Sequence, residues 1–472
     1  MVPRVLNYAL LTPFYTRIFP IESGEYGVVT EIYAYMAILL IILTYGMETT
    51  FFRFTTSKEY NKEKVYNSSL ISLFTTSLLF IVLIIVFADR TANLLEYSGH
   101  REYIIMFSMI VAIDAFTAIP FARLRIENQV FKFSAIKLIN VLVIIIVAFS
   151  FLYFIPRHID NNPETFFKKI YSDKIGVGYV FIANLCGSII SLILLLPHII
   201  KVRLKVDIKV LKKMFVYAFP LLIAGLGGVL NESFDKVAMK FLLPDRSTSM
   251  SQLAVYGANF KIAVLMSLFI QMFRYAFEPF FFSRSNEKNA REIYVQIMNY
   301  FVIFCLFIFI GISLNLEIFK YLIDKDYWTA LNVVPIILMS FVFLGIFVNL
   351  SVWYKLNDIT KYGAILTFAG AIITIFINIK FIPVYGYTAS AWGHFTAYLV
   401  MVILSYILGK KFYPVSYNIL KITSYFLLAV GIFAAGTFME FQLKIISFIV
   451  NNIMIGIFVA VVYFKEIKGK IL

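Results

Sequence analysis

Residues 256–282 read YGANFKIAVLMSLFIQMFRYAFEPFFF, an apolar run long enough to cross a bilayer that nonetheless carries Lys261, Arg274 and Glu278. Its apolar residues are continuous and do not alternate, which argues for a helix over a barrel strand. Ionisable groups at membrane depth are costly, so each is a candidate for function. The stretch has an echo near the start of the chain. Glu31 lies five residues after Tyr26, as Lys261 lies five after Tyr256, and Glu48 and Glu278 each follow those tyrosines by 22. Phe51-Phe52 then matches Phe281-Phe282, and Arg53 or Arg284 closes each copy. One membrane hairpin has been used twice.

Outward from this stretch, the whole chain has the same character. Of 472 residues, 61% are hydrophobic, 18% aromatic and only 15% charged, and the mean hydropathy is +0.85. A water-soluble core cannot hide that much apolar surface, so this is an integral membrane protein of the all-α class. No segment between the apolar runs is long enough to form a soluble domain. The net charge of +15 falls mostly in short inter-helix connections, where membrane orientation explains it better than nucleic acid does. Cys186 and Cys305 both lie inside apolar runs and read as small buried side chains.

Windows of about 20 apolar residues place fourteen spans, near 1–19, 27–52, 66–88, 103–122, 134–155, 177–200, 214–243, 251–282, 294–319, 331–354, 359–381, 386–409, 417–438 and 443–464. Even-numbered connections carry most of the basic residues, including Arg53, Lys58, Lys62 and Lys64, then Arg123, Arg125, Lys132 and Lys137, then Lys201 to Lys213. Odd-numbered ones are diluted by Glu22, Glu25, Asp89, Glu96, Asp324 and Asp326. By the positive-inside rule both termini are expected in the cytoplasm.

The repeat divides the chain. We expect an N-terminal six-helix lobe over 1–200, a basic cytoplasmic linker over 201–213, a second six-helix lobe over 214–411, and two additional helices with a short basic tail over 412–472. Because six is even, the lobes would be related by an axis along the membrane normal, with a path between them. The first span has 19 residues before Pro20, against about 30 in the seventh. A truncated first helix is therefore expected.

The intramembrane charges sort by depth. At a rise of about 1.5 Å per residue, Glu232, Asp235 and Lys236 lie near the depth of Lys261 and Glu31, forming an outer set of mixed sign. Arg4, Glu48, Asp114, Arg274 and Glu278 form an inner set, with Arg53 and Arg123 snorkelling to the interface. Pairing of Asp235 or Glu232 with Lys261 across a hairpin is one reading, and a charged cleft between lobes is the other. Gly225, Gly227 and Gly228 suit helix packing, since no Gly-Lys-Ser/Thr completes a nucleotide loop. His100, His158, His198 and His394 lack metal-ligand spacing. Trp328 and Trp353 read as interface anchors.

Five segments together carry a family likeness: PFYTRIFPIESGEYGVVT (13–30), GMETTFFRF (46–54), AFPLLIAGLGGVLNESFDKVAMKFLLP (218–244), YGANFKIAVLMSLFIQMFRYAFEPFFFSRS (256–285) and FIPVYGYTASAW (381–392). The chain resembles, over essentially its whole length, the polysaccharide-export flippases of the multidrug/oligosaccharidyl-lipid/polysaccharide exporter superfamily. The resemblance implies a transporter and not an enzyme. Its cargo would be a polyprenyl-diphosphate-linked oligosaccharide, moved by alternating access across the bacterial cytoplasmic membrane, as in the making of lipopolysaccharide O-antigen. It implies contact with membrane lipid and with other glycan-assembly membrane proteins. Arg4, Arg17, Lys236, Lys261 and Arg274 are then the candidate substrate-path cations, and Glu31, Glu48, Asp114, Glu232, Asp235 and Glu278 the candidates for charge balance or proton coupling. No cofactor or metal is expected, and without an ATP motif the energy would come from an ion gradient or the membrane potential.

Rival readings are a multidrug exporter of the same superfamily, which would favour an acidic cavity, a membrane glycan polymerase or ligase, and a non-transporting scaffold. A polymerase would present catalytic residues on a large outer loop, and residues 156–174, with Arg157 and His158, are short for that role. The matched positions Glu31 and Lys261 are opposite in charge, so a pair of that kind is expected to close the outer side of the cleft.

Overall fold

The computed structural model describes residues 2–200, 206–284, 287, 289–357, 359–439 and 443–466, apart from the side chains of residues 2, 4, 278, 279, 282 and 283. The described residues contain helices and no strand. Thirteen helices are long and apolar enough to cross a membrane, and a shorter one over residues 2–18 precedes them, with a π-helical turn at Asn7–Leu11. In chain order they are α1 (residues 2–18), α2 (Glu25–Thr56), α3 (Lys62–Val86), α4 (Arg101–Ile126), α5 (Val130–Asn161), α6 (Gly178–Ile199) and α7 (Ile208–Leu242). There follow α8 (Arg246–Arg284), α9 (Ala290–Leu314), α10 (Val333–Leu356), α11 (Lys361–Tyr385), α12 (Tyr387–Phe412), α13 (Ile419–Phe438) and α14 (Lys444–Glu466). All fourteen expected spans are helical.

Local chemistry sets several boundaries. Asn61 caps α3 by accepting from the backbone N–H groups of Glu63 and Lys64, which satisfies two of the donors a helix start leaves over. Within α2, Tyr45 and Gly46 take left-handed backbone angles and interrupt the helix before Met47. Pro335 sits in the first turn of α10, where its missing N–H costs nothing. By contrast, Pro120 and Pro220 lie inside α4 and α7.

Packing groups the helices into two compact units. The first comprises Met1–Phe241 with Asp245–Ala254, and the second Leu242–Pro244 with Val255–Leu472. α7 and the first turns of α8 thus pack with the helices that precede them in sequence. The first unit has a core of Met47, Phe51, Val65, Tyr66, Leu70, Ile119 and Met214, drawn from α2, α3, α4 and α7. In the second, Phe347, Trp353, Tyr354, Leu366, Tyr398 and Met401 join α10, α11 and α12. Large apolar residues such as Leu79, Val86, Ile146, Phe376, Leu427 and Ile445 remain exposed, as lipid-facing residues should. Of the most apolar stretch of α8, 78% is buried, against 6% for α14, so α8 is a core helix and α14 a peripheral one.

The connections alternate between ends, as the charge pattern requires. At one end of the first unit Arg246 meets Glu96 at 3.2 Å, tying the seventh connection to the third, and the Tyr103 hydroxyl donates to the Ile175 carbonyl of the fifth at 2.9 Å. At the other end Arg123 meets Glu63 at 2.9 Å, Lys64 meets Asp207 at 3.4 Å and Lys213 meets Glu59 at 3.4 Å. The second unit repeats the rule, with Lys444 on Glu317 at 3.0 Å at one end and Lys421 on Glu466 at 2.6 Å at the other.

One tryptophan corrects the sequence reading. Trp353 is 3% exposed and its indole N–H donates to Ser405 Oγ at 3.2 Å. It is a core residue, because Ser405 satisfies in the interior the polar handle that would otherwise seek the interface.

Candidate functional site

A polar site lies inside the first unit where α2 begins. The chain leaves α1 through Pro20, makes a single 3-10 turn at Ile21–Ser23 and enters α2 through Gly24 in the left-handed region. Gly27 in the first turns of α2 has its α-carbon so close to the Met250 carbonyl and the Ala254 N–H of α8 that an added Cβ would overlap the carbonyl oxygen. Only glycine permits that approach of two helix backbones.

The approach carries Glu31, little more than a turn further along α2, into the interior, where it is fully buried. Lys240, in the last turn of α7 and 5% exposed, places Nζ 3.6 Å from Glu31 Oε2. The same Nζ donates to the Leu95 carbonyl at 2.5 Å and lies 3.9 Å from the centre of the Tyr97 ring. The Tyr97 hydroxyl donates to Glu31 Oε2. Burial holds that phenol well above its ordinary pKa, with the Glu31 charge adding to the effect, so it is a fixed donor at neutral pH. Around this core Arg246 donates from Nη1 to both Glu96 carboxylate oxygens at 3.2 Å and to the Lys240 carbonyl at 3.1 Å. Glu96 itself takes a left-handed backbone.

Chemically this is a latch. A buried ion pair is held by hydrogen bonds and a cation–π contact, and removing one partner leaves the other charge uncompensated, at a cost of about 3–5 kcal/mol. It joins α2 and the α3–α4 connection to the α7–α8 turn, elements far apart in the sequence. Further along the same interface, α2 stays on α7. Tyr45 stacks on Phe215 with ring centres 5.5 Å apart, the Arg53 guanidinium lies 4.3 Å from the Tyr217 ring, and Gly46 lies against Leu221.

The other sequence candidates are spread over the chain. Glu48 pairs with Arg125, whose guanidinium also lies 4.9 Å from the Phe52 ring. Asp114 accepts from Ser188 Oγ at 2.8 Å. Asp235 is buried, with Lys236 Nζ at 3.2 Å, and that lysine also donates to the carbonyl of Glu232 at 2.6 Å. Arg17 is exposed at the end of α1, and the Glu232 side chain is exposed. In the second unit Lys261 is half-buried on α8, and exposed Arg274 lines a recess beside α10. The side chains of Arg4 and Glu278 lie outside the described residues. Arg123, read as a snorkelling residue, is bound to both Glu63 and Glu127.

Lys240, Tyr97, Arg246, Glu96 and Arg125 were not among the candidates. Lys240 escapes notice because a lysine near a helix end ordinarily reads as an interface residue. No local spacing links it to Glu31. The left-handed Glu96 and the Tyr97 beside it sit in a connection, where sequence pattern is weakest.

Known proteins bear on this geometry. The family described as "Polysaccharide biosynthesis protein" matches residues 8–285, more than half of the chain. Among solved structures, lipid II flippase MurJ in an inward closed conformation superposes with a TM-score of 0.71 at 16% identity, over 99% of this chain and 97% of that one. A multidrug resistance MATE family transporter of the MOP superfamily, in an inward-facing conformation, gives 0.61 at 13% identity over 88% and 95%. A MOP superfamily transporter from Pyrococcus furiosus, described as having a binding pocket of reverse polarity, gives 0.51 at 14% identity over 86% and 92%. At these identities the structures establish the fold. No curated protein matches the chain.

Proposed function

The chain belongs to the polysaccharide biosynthesis protein family, and from that premise we propose that it moves a polyprenyl-diphosphate-linked oligosaccharide across a bacterial cytoplasmic membrane by alternating access. The termini would be cytoplasmic, and the glycan would be destined for a surface polysaccharide such as the O-antigen of lipopolysaccharide. Residues 1–200 and 214–411 would act as lobes around the linker 201–213, with 412–472 as an added pair of helices.

The observation that carries this reading is the Glu31–Lys240 latch. It holds α2, from the first proposed lobe, to the α7–α8 turn of the second. In alternating access these elements must part at the outer side, which requires Glu31 and Lys240 to exchange each other for water or for a proton on Glu31. An ion gradient or the membrane potential would supply that energy, at ~2.3 kcal/mol per charge per 100 mV. Arg4, Arg17, Lys236, Lys261 and Arg274 remain the candidate contacts for the diphosphate.

A drug exporter is the competing reading, favoured by the MATE-like fold. Deleting the gene and restoring it on a plasmid separates the two. Loss of surface glycan with unchanged drug susceptibility supports the flippase, and the reverse pattern supports the exporter.

A further inference from the structure

The connection between α5 and α6 displays apolar side chains at the end of the first unit where α5 leaves the membrane. α5 has 32 residues, about 48 Å at 1.5 Å per residue, against a hydrocarbon core of about 30 Å. Tyr153 and Phe154 lie about 35 Å along it from Val130, at the level of the aromatic belts that mark a membrane boundary. Both are exposed, and by helical spacing Tyr153 continues the exposed apolar face that holds Ile139, Leu142 and Ile146. That face is the one turned to lipid.

Past the end of α5 the chain turns back. Phe166–Lys169 form a 3-10 turn, and Tyr171 returns its N–H to the Phe167 carbonyl four residues earlier at 3.0 Å. Residues four apart in such a turn share a side, so Phe167 goes with Tyr171 and Phe166 with Ile170. The first pair faces the protein. The Phe167 ring meets the His158 ring of α5 edge on, with centres 5.5 Å apart, and Tyr171 stacks at 5.2 Å on Tyr179 of α6, which stacks in turn on Phe151 at 5.0 Å. The second pair faces away, with Phe166 67% and Ile170 47% exposed, and Lys168 and Lys169 stand exposed between them. Fastened on both sides, the turn holds this apolar pair out, where water is an unfavourable neighbour. Its irregular backbone is equally unsuited to hydrocarbon. The headgroup layer meets both conditions.

We propose that the connection between α5 and α6 is an interfacial anchor, in which Phe166 and Ile170 insert at the boundary of headgroups and acyl chains and Lys168 and Lys169 face anionic lipid headgroups. Lysines beside inserted aromatic and aliphatic residues are the composition of segments that lie on anionic membranes. The lipid-facing side of α5 runs directly into this surface. Arg157, which donates to the Tyr153 hydroxyl at 2.8 Å, and His158, packed on Phe167, then serve to hold the anchor on α5. The anchor does not depend on which cargo the protein carries.

The test uses the full chain with Cys186→Ala and Cys305→Ala, carrying a nitroxide on one introduced cysteine, in liposomes of phosphatidylcholine with or without phosphatidylglycerol. Power saturation reads collisions of the label with oxygen, which concentrates in the bilayer, and with a water-soluble nickel chelate. Labels at Phe166→Cys and Ile170→Cys favour oxygen over nickel several-fold relative to a label at Glu164→Cys, an exposed polar position of the same connection. Phosphatidylglycerol moves the two apolar-site labels deeper. Lys168→Gln with Lys169→Gln abolishes that shift, whereas Lys168→Arg with Lys169→Arg, which keeps the charge, retains it. Variants are compared only where their elution and melting match the cysteine-free parent. Equal access of nickel to all three labels puts the connection in water and overturns the anchor. Apolar-site labels shielded from both reagents are covered by protein, whether a second copy or another partner, and overturn it as well. No shift with phosphatidylglycerol, or a shift that survives Lys168→Gln with Lys169→Gln, overturns the headgroup assignment.

Discussion

At the start of α2, Glu31 and Lys240 are matched inside the protein, with Tyr97 donating to the carboxylate and the Leu95 carbonyl accepting from the lysine. In the recess of the second unit, Arg274 and Lys355 stand with phenyl rings and a buried amide. The first arrangement supplies its own counter-charge and holds helices together. The second gathers its groups beside α10, where Arg274 is exposed and Asn349 is buried. The difference is one of burial: Lys240 is locked into the packing, whereas Arg274 stands at an exposed edge.

The largest effect is expected where the first region is closest packed. Gly27→Ala places a Cβ against the Met250 carbonyl, so α2 and α8 cannot come together and surface-glycan export is lost. Gly228→Ala adds a methyl where nothing lies within 4 Å and exports normally. Immunoblotting of membranes alongside a surface-glycan assay checks both, and normal export by Gly27→Ala removes the close approach from the mechanism.

Next comes the latch charge. Lys240→Met leaves Glu31 buried and unpaired, destabilising the protein by about 3–5 kcal/mol, which appears as a lower melting temperature. The double variant Glu31→Gln with Lys240→Met recovers most of the loss, because no unpaired charge remains. A double variant no more stable than Lys240→Met shows that the lysine acts through packing alone.

The smallest effect belongs to Glu317, whose carboxylate is exposed. Glu317 accepts from Lys320 at 2.8 Å and from Lys444 at 3.0 Å. The Lys320 hydrogen bond, followed by Lys444, holds its carboxyl below the ordinary range. A lowered carboxyl stabilises the folded chain above the ordinary carboxylate pKa, and the contribution disappears as pH falls through the lowered value. Glu317→Gln should therefore cost ~1 kcal/mol or less at neutral pH, and the difference from the parent should vanish in acid. Melting curves across pH test this, and a difference that grows in acid reverses the sign.

Fold and site were not equally legible in the sequence. Runs of about 20 apolar residues and alternating basic connections are local signals, and they located every helix from α2 to α14 because lipid forces the backbone into helices. The latch is a long-range arrangement. Glu31 stood out as a charge in an apolar run, but its partner came from the end of α7 and its donor from a connection, where no periodicity constrains either. The repeat pointed to Lys261 because it matches positions, whereas Lys240 reaches Glu31 through the tertiary packing that Gly27 permits. Trp353 failed for a related reason: its fate depended on Ser405, a residue on another helix.

The most direct test of the account is transport by the purified chain in proteoliposomes, reading the appearance at the far leaflet of a fluorescent polyprenyl-diphosphate-linked oligosaccharide. The account predicts that this lipid crosses faster than in protein-free vesicles. Crossing no faster than in those vesicles, with the chain folded and inserted, would contradict it.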